Sequence, residues 1–236
     1  MPCVMFFCCG NETARHASGA SESDVMSAIV ALGQDYLQAS GLRTLPRPVN
    51  RQRAQLHLSM QSHAKKEVQG AEICFHPGSE NSRRLAQLLQ SRFSLIVPSS
   101  QTKLVPAPQL PELRMAKCPA IQLRLGNREN QDDAQWMLEC TGVIAHAIAA
   151  AVAEWFDVPL NSPFAQYPAT VHTPGGALAL RSCPGTESEL LRPLPNGTRL
   201  MLLHRQGDWQ YVEAEDGSLG YVLRKYLRQQ AEENKD

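Results

Sequence analysis

Apolar and polar positions along the first two thirds of the chain fall into two kinds of block. Short apolar runs of the kind that form buried strands alternate with longer segments in which apolar residues recur every three or four positions. The strand-like runs are VMFFCC, AQLHLSMQ, AEICFHP and AIQLRLG, and the helical segments are DVMSAIVALGQDYLQASG, SENSRRLAQLLQSRF and DAQWMLECTGVIAHAIAAAVAEWF. This order predicts an α/β domain in which helices cover a sheet.

The helical segments carry the clearest signals. Within residues 24–39, Val25, Ile29 and Tyr36 recur at helical spacing, and Gly41 supplies a stop. Further along, we predict one long helix from about Asp133 to Phe156. Its alanine-rich second half can pack closely on a sheet.

The pattern changes after this last helix. The stretch VPLNSPFAQYPATVHTP contains four prolines and no helical periodicity, which indicates a linker. Beyond it, five short strand-like runs separated by turn pairs such as Asn196-Gly197 predict a small all-β barrel. The predicted division is a first domain at 1–157, a Pro-rich linker at 158–168, the barrel at 169–228 and a polar tail at 229–236.

Charge and hydropathy narrow the range of partners. The 23 basic and 23 acidic residues cancel, so no global field favours nucleic acid or an acidic membrane surface. The apolar stretch at 1–9 is too short to span a bilayer and has neither a basic flank nor a cleavage pattern. We therefore expect no nucleic-acid partner, no membrane span and no recognisable signal peptide, and the localisation stays open.

The barrel region contains the segment LALRSCPGTESELLRPLPNGTRLMLLHRQGDWQYVEAEDGSLGYVLRKYL. This segment resembles a bacterial SH3 (SH3b) domain. The resemblance implies a small barrel that binds cell-wall peptides. Trp209, Tyr221 and Tyr226 are then the candidate ligand-binding residues, with both tyrosines expected to be exposed. A structural role for all three is the alternative, because aromatic side chains also close barrel cores.

The first domain has its own recognisable segments: GSENSRRLAQLLQSRF, CPAIQLRLGNRENQDDAQWM and GVIAHAIAAAVAEWF. Together they resemble the zinc-dependent N-acetylmuramoyl-L-alanine amidases, peptidoglycan hydrolases that act at the cell wall. The resemblance implies a single mixed sheet flanked by helices, and an SH3b domain is a fitting companion for it. Peptidoglycan or cell-wall peptides are the implied partners.

The resemblance also implies a zinc site built from two histidines and a glutamate, with a further catalytic glutamate at the end of a late strand. Glu22 matches the glutamate ligand, at the start of the first long helix. Gln61 falls where a ligand histidine is expected, and Arg124 falls where the catalytic glutamate is expected. His16 and His63 are possible substitute ligands.

These substitutions change the chemistry that can be expected. An amide oxygen is a poor zinc ligand beside imidazole, and an arginine cannot act as a general base because its pKa is too high. We expect zinc to be absent or weakly bound. We also expect Arg124 to form a buried ion pair with Glu22 where the metal lies in the family.

Three functions follow as alternatives. The first is a degenerate amidase-family protein that binds peptidoglycan or regulates its turnover. The second is an active zinc amidase with rearranged ligands, which cleaves the amide bond between the lactyl group and the peptide. The third is a scaffold whose barrel binds a protein partner.

Overall fold

The computed structural model describes residues 1–9, 12–45, 54–63, 68–97, 102–164 and 167–229. The chain divides into two compact units, Met1–Pro163 and Phe164–Asp236. The division falls inside the segment predicted as a linker, and the first strand of the second unit already begins at Tyr167. The predicted polar tail lies outside the described residues from 230 onward.

The first unit is built around one mixed sheet. Its elements in chain order are β1 (Cys3–Cys8), α1 (Glu22–Ala39), β2 (Arg43–Leu45), β3 (Leu56–His63), β4 (Ala71–Phe75), α2 (Glu80–Phe93), β5 (Thr102–Pro106), α3 (Pro111–Arg114), β6 (Ala120–Asn127), α4 (Gln131–Glu139) and α5 (Thr141–Trp155). The strand order is β2-β1-β3-β6-β4-β5, with β4 antiparallel to β6 and all other neighbours parallel. The expected single mixed sheet flanked by helices is confirmed, and the short strands β2 and β5 are additions to it.

The last predicted helix is in fact two helices, α4 and α5, bent by 73° at Cys140. The hydroxyl of Thr141 donates to the carbonyl oxygens of Met137 at 3.3 Å and Leu138 at 3.1 Å. These carbonyl groups lie in the last turn of α4, where a continuing helix would bond them to backbone N–H groups. Here the Thr141 side chain supplies the donor instead. Among the described residues no single helix is long and apolar enough to cross a bilayer, and α4 and α5 meet that test only as a bent pair.

The two faces of the sheet differ in character. Leu58 and Met60 on β3 and Leu123 and Leu125 on β6 are all 0% exposed and belong to the core. Because side chains alternate between faces along a strand, the intervening residues point the other way. Those intervening positions hold polar residues, among them Gln61 and Arg124, which are aligned with each other in the parallel pairing of β3 and β6.

The second unit is an antiparallel sheet of seven strands within the described residues. They are β7 (Tyr167–Val171), β8 (Leu178–Arg181), β9 (Leu190–Leu194), β10 (Arg199–Gln206), β11 (Trp209–Ala214), β12 (Leu219–Leu223) and β13 (Leu227–Gln229), in the order β13-β7-β10-β11-β12-β8-β9. Its core includes Leu178, Leu180, Val212 and Val222. The all-β C-terminal region is thus confirmed, with β9 and β13 added to the five strands that the pattern indicated.

Candidate functional site

Glu22 opens α1 and is 2% exposed. Its Oε1 accepts hydrogen bonds from the backbone N–H of Ser62 at 2.9 Å and from the Ser62 hydroxyl. Its Oε2 lies 3.4 Å from Nη1 of Arg128, whose side chain is 21% exposed. The position in the first turn also places this carboxylate near the positive end of the helix dipole.

Arg124 does not pair with Glu22, so that prediction is wrong. Its Nη1 lies 3.4 Å from Oε2 of Glu72, and its Nε donates to Oε1 of Gln122 at 3.0 Å. The reason is the alternation of side chains: Arg124 shares a face with Gln61, whereas Ser62, which contacts Glu22, points to the opposite face. The cation that meets Glu22 is Arg128, in the loop after β6.

The Arg124 side chain belongs to a polar network that crosses β6, β4 and β3. Gln122 bridges Arg124 to Glu112 of α3: its amide oxygen accepts from Arg124, and its amide nitrogen donates to Glu112. Glu72 lies opposite Arg124 in the antiparallel pairing of β4 and β6. On the far side, Oε2 of Glu72 lies 3.5 Å from Nε2 of His63, so the cation and this histidine meet the same carboxylate.

The two histidines proposed as substitute ligands lie in different surroundings. His63 ends β3, is 5% exposed and lies against Glu72. His16 is 3% exposed, and its ring nitrogens have no hydrogen-bond partner among the described residues. Burial lowers the pKa of His16, the charge of Glu22 raises it, and Arg128 lowers it further. His16 is therefore electrostatically coupled to the Glu22–Arg128 pair and favours its neutral form.

The described residues do not fit a zinc site with three protein ligands. They contain no group of three or more His, Cys, Asp or Glu side chains arranged to hold a metal ion. Both oxygens of Glu22 already have partners, and one partner is a guanidinium. A fixed cation at this distance raises the electrostatic cost of placing a divalent ion on the same carboxylate.

Several residues of this region were missed by sequence reasoning: Ser62, Glu72, Glu112, Gln122, Arg128 and Asp133. Asp133 is the clearest case, because it is 4% exposed and its Oδ2 accepts from the backbone N–H groups of Asn127 at 2.7 Å and Gly70 at 3.2 Å. Burial raises the pKa of Asp133, while these two hydrogen bonds lower it. The available signal was Asn130, three residues earlier, whose side chain caps α4 by accepting from the Asp133 N–H.

In the second unit, Trp209 and Tyr226 line a cavity of about 240 Å³ together with Arg181 and Leu223. Tyr221 does not belong with them, and its expected exposure is wrong. It is 0% exposed, its ring centroid lies 5.0 Å from that of Tyr211, and its hydroxyl pairs with Oε1 of Gln206 at 3.3 Å. Tyr221 lies on β12 next to the core residue Val222, so alternation places its side chain on the opposite face of the strand, where its ring packs against that of Tyr211.

Comparison with known protein families gives two matches along the chain. The family model described as N-acetylmuramoyl-L-alanine amidase matches residues 42–154, and the model described as bacterial SH3 domain matches residues 176–228. Comparison with curated protein sequences gives no match.

Solved structures resemble the first unit. The N-acetylmuramoyl-L-alanine amidase AmiC2 of Nostoc punctiforme aligns with a TM-score of 0.58 at 15% identity, over 66% of this chain and 97% of that one. The catalytic domain of the amidase CwlV from Bacillus (Paenibacillus) polymyxa var. colistinus aligns with a TM-score of 0.57 at 15% identity, over 67% of this chain and all of that one (100%). At this identity the likeness concerns the fold.

Fold and family matches agree on the class of protein. The chain consists of an N-acetylmuramoyl-L-alanine amidase-family domain followed by a bacterial SH3 domain. It is a peptidoglycan amidase-family protein.

Proposed function

We propose that this protein binds peptidoglycan through its SH3b unit and that its amidase-family domain does not hydrolyse peptidoglycan. The observation that carries the proposal is the pairing of Gln61 with Arg124 on the neighbouring strands β3 and β6. The resemblance assigns a zinc-ligand histidine to the first position and the catalytic glutamate to the second. The two substitutions therefore lie side by side.

The chemistry of amide hydrolysis supports this proposal. A metal-dependent amidase must polarise the scissile carbonyl, activate water, and take up and return a proton. Arg124 cannot accept that proton, and its guanidinium is already held by Gln122 and Glu72. Because a metal ligand and a general base act as a unit, losing both leaves little of the catalytic effect.

The cavity of the SH3b unit supports a binding role. Trp209, Tyr226 and Arg181 give it aromatic surfaces and a cation, which suit the backbone and carboxylates of a short peptide. Cell-wall peptides are the ligands that the domain combination favours.

The test uses the purified full-length chain and isolated peptidoglycan sacculi. We expect the protein to sediment with sacculi and to release no soluble muropeptides, with or without added zinc. The double variant Trp209→Ala/Tyr226→Ala should raise the dissociation constant for sacculi about tenfold, which corresponds to a loss of about 1.4 kcal/mol of binding free energy. Tyr167→Ala is the matched control, because Tyr167 is 50% exposed and does not line the cavity.

Two results would refute the proposal. Release of muropeptides together with about one bound zinc per chain would indicate an active amidase that draws on residues such as His16, Glu22 and His63. Failure to sediment with sacculi would instead favour a scaffold that binds a protein partner.

A further inference from the structure

A second cavity lies in the SH3b unit, with a volume of about 640 Å³. Leu223 lines both this cavity and the cavity of about 240 Å³ around Trp209, so the two adjoin. We call the larger one the cationic cavity, because Arg205, Arg224 and Lys225 line it, and the smaller one the aromatic cavity. The volume of the cationic cavity falls within the range of about 300–1,000 Å³ that is usual for ligand sites.

Two neighbouring turns carry the three cations. Arg205 lies near the end of β10, and Arg224 and Lys225 belong to a 3-10 turn (Arg224–Tyr226) that follows β12. The backbone N–H of Arg224 donates to the carbonyl oxygen of Asp208 at 2.9 Å, which ties this turn to the turn between β10 and β11. The backbone that bears the cations is therefore held in place without a ligand, which lowers the entropic cost of binding one.

Positive charge predominates in the cationic cavity, since Asp208 is the one acidic residue among the described residues that line it. Within the described part of the chain, none of the three cations forms an ion pair. Nε of Arg205 donates to the carbonyl oxygen of Gly207 at 3.2 Å, which leaves both terminal nitrogens of that guanidinium for a ligand. Guanidinium groups bind carboxylates through two parallel hydrogen bonds, so the cavity favours a ligand that carries carboxylates.

Gln210 adds a hydrogen-bond acceptor to the lining. The residue is 6% exposed, and its Nε2 donates to the carbonyl oxygens of His204 at 3.1 Å and Tyr211 at 3.4 Å. These bonds fix the orientation of the amide group, and its oxygen accepts no hydrogen bond from the described residues. A peptide N–H of a ligand would satisfy this buried acceptor. Leu202 and Leu227 add apolar surface beside it.

We propose that the cationic cavity is a carboxylate subsite for an acidic peptide. Arg205 and Arg224 pair with carboxylates of the peptide, and Gln210 accepts one of its backbone N–H groups. A polymer of phosphate groups has neither N–H donors nor apolar side chains, so this lining suits a peptide better. The inference rests on the proposed function, in which the SH3b unit binds peptides, and deepens it by naming the charge that the peptide must carry.

The test titrates the full-length chain with a soluble tripeptide, acetyl-Leu-Glu-Ala with a free terminal carboxylate, in a calorimeter. The neutral counterpart is acetyl-Leu-Gln-Ala amide, which has nearly the same shape and carries no charge. We expect the acidic peptide to bind about tenfold more tightly than the neutral one. Because salt screens exposed charges, this preference should shrink as the salt concentration rises from about 0.05 to about 0.5 M.

Arg224→Gln and Arg228→Gln form a matched pair of variants. Each removes one exposed arginine charge, but Arg228 does not line the cavity, whereas its neighbours Leu227 and Gln229 do. Arg224→Gln should raise the dissociation constant of the acidic peptide about tenfold and leave that of the neutral peptide unchanged, and Arg228→Gln should change neither. Both variants should melt within about 2 °C of the wild type, because exposed substitutions change stability little.

Three outcomes separate this inference from the proposed function. Equal affinity for the two peptides, or equal effects of the two variants, would overturn the carboxylate subsite, whereas sedimentation with sacculi that depends on Trp209 and Tyr226 would still support the proposed function. Tighter binding of inorganic tripolyphosphate than of the acidic peptide would also overturn the subsite, because the cavity would then be a general site for polyanions. Failure to sediment with sacculi would refute the proposed function alone, since the titration uses a soluble peptide.

Discussion

The ion pair between Arg124 and Glu72 holds an arginine at the position that the resemblance assigns to the catalytic glutamate, and its contribution to stability can be measured. The guanidinium and carboxylate lie 3.4 Å apart on facing strands, and the side chains are 22% and 17% exposed. At an effective dielectric constant of about 20, the Coulomb energy at this separation is about 5 kcal/mol. Desolvation and partial exposure reduce the net contribution to about 1–3 kcal/mol.

Restoring the family residue with Arg124→Glu should therefore destabilise the first unit. The new carboxylate would lie opposite Glu72 in the β4–β6 pairing, so an attraction becomes a repulsion. We expect a loss of about 2–4 kcal/mol in the free energy of unfolding. The charge swap Arg124→Glu/Glu72→Arg should recover about 2 kcal/mol relative to the sum of the single variants.

Urea unfolding followed by tryptophan fluorescence measures these changes. Trp136 and Trp155 lie in the first unit and Trp209 lies in the second, so a Trp209→Phe background restricts the signal to the first unit. This separation is needed because a chain with two units need not unfold in one step. If the effects of the two single variants on the free energy of unfolding sum to that of the charge swap within about 0.5 kcal/mol, Arg124 and Glu72 are not coupled. The prediction of a stabilising ion pair would then be wrong.

Three further predictions concern buried groups. Asp133→Ala should lower the free energy of unfolding by about 2–4 kcal/mol, because it leaves the N–H groups of Asn127 and Gly70 without their acceptor. Asp133→Asn should lower it by less than half as much. Equal losses for the two variants in urea unfolding would contradict this prediction. Burial lowers the pKa of His146 from 6.5 to about 4, so between these values the unfolded chain binds a proton that the folded chain does not. Stability should then fall by about 3 kcal/mol as the pH drops from 6.5 to 4, and His146→Leu should flatten that part of the measured pH profile. Tyr221→Ala should destabilise the SH3b unit by about 3–5 kcal/mol, as for other buried aromatic residues. Tyr221→Phe keeps the ring, removes the hydroxyl that bonds to Gln206 and should cost less; unfolding followed by Trp209 fluorescence distinguishes the two.

Local patterns determined the order and type of most elements. The 3.6-residue recurrence in α1 and α2 and the apolar runs in β1, β3, β4 and β6 are properties of neighbouring residues, so the sequence alone predicts them. The strands β2, β5, β9 and β13 were missed because most of their residues are exposed or half-buried, so these segments carry little of the apolar pattern that marks a buried strand. The identities of Gln61 and Arg124 could also be read directly, once the resemblance indicated which positions to inspect.

The partners of the charged residues were decided only by the tertiary structure. Whether Glu22 meets Arg124 or Arg128 depends on strand register and on which face each side chain takes. A shift of one residue reverses that face. Likewise, the ends of β3 and β6 and the start of α1 meet only in the folded sheet, and their meeting places Ser62, Arg128 and Glu22 together. Periodicity predicts the helix or strand to which a residue belongs. An ion pair between Glu22 and Arg128 joins segments that are distant in sequence, so only the packing of the folded chain determines it.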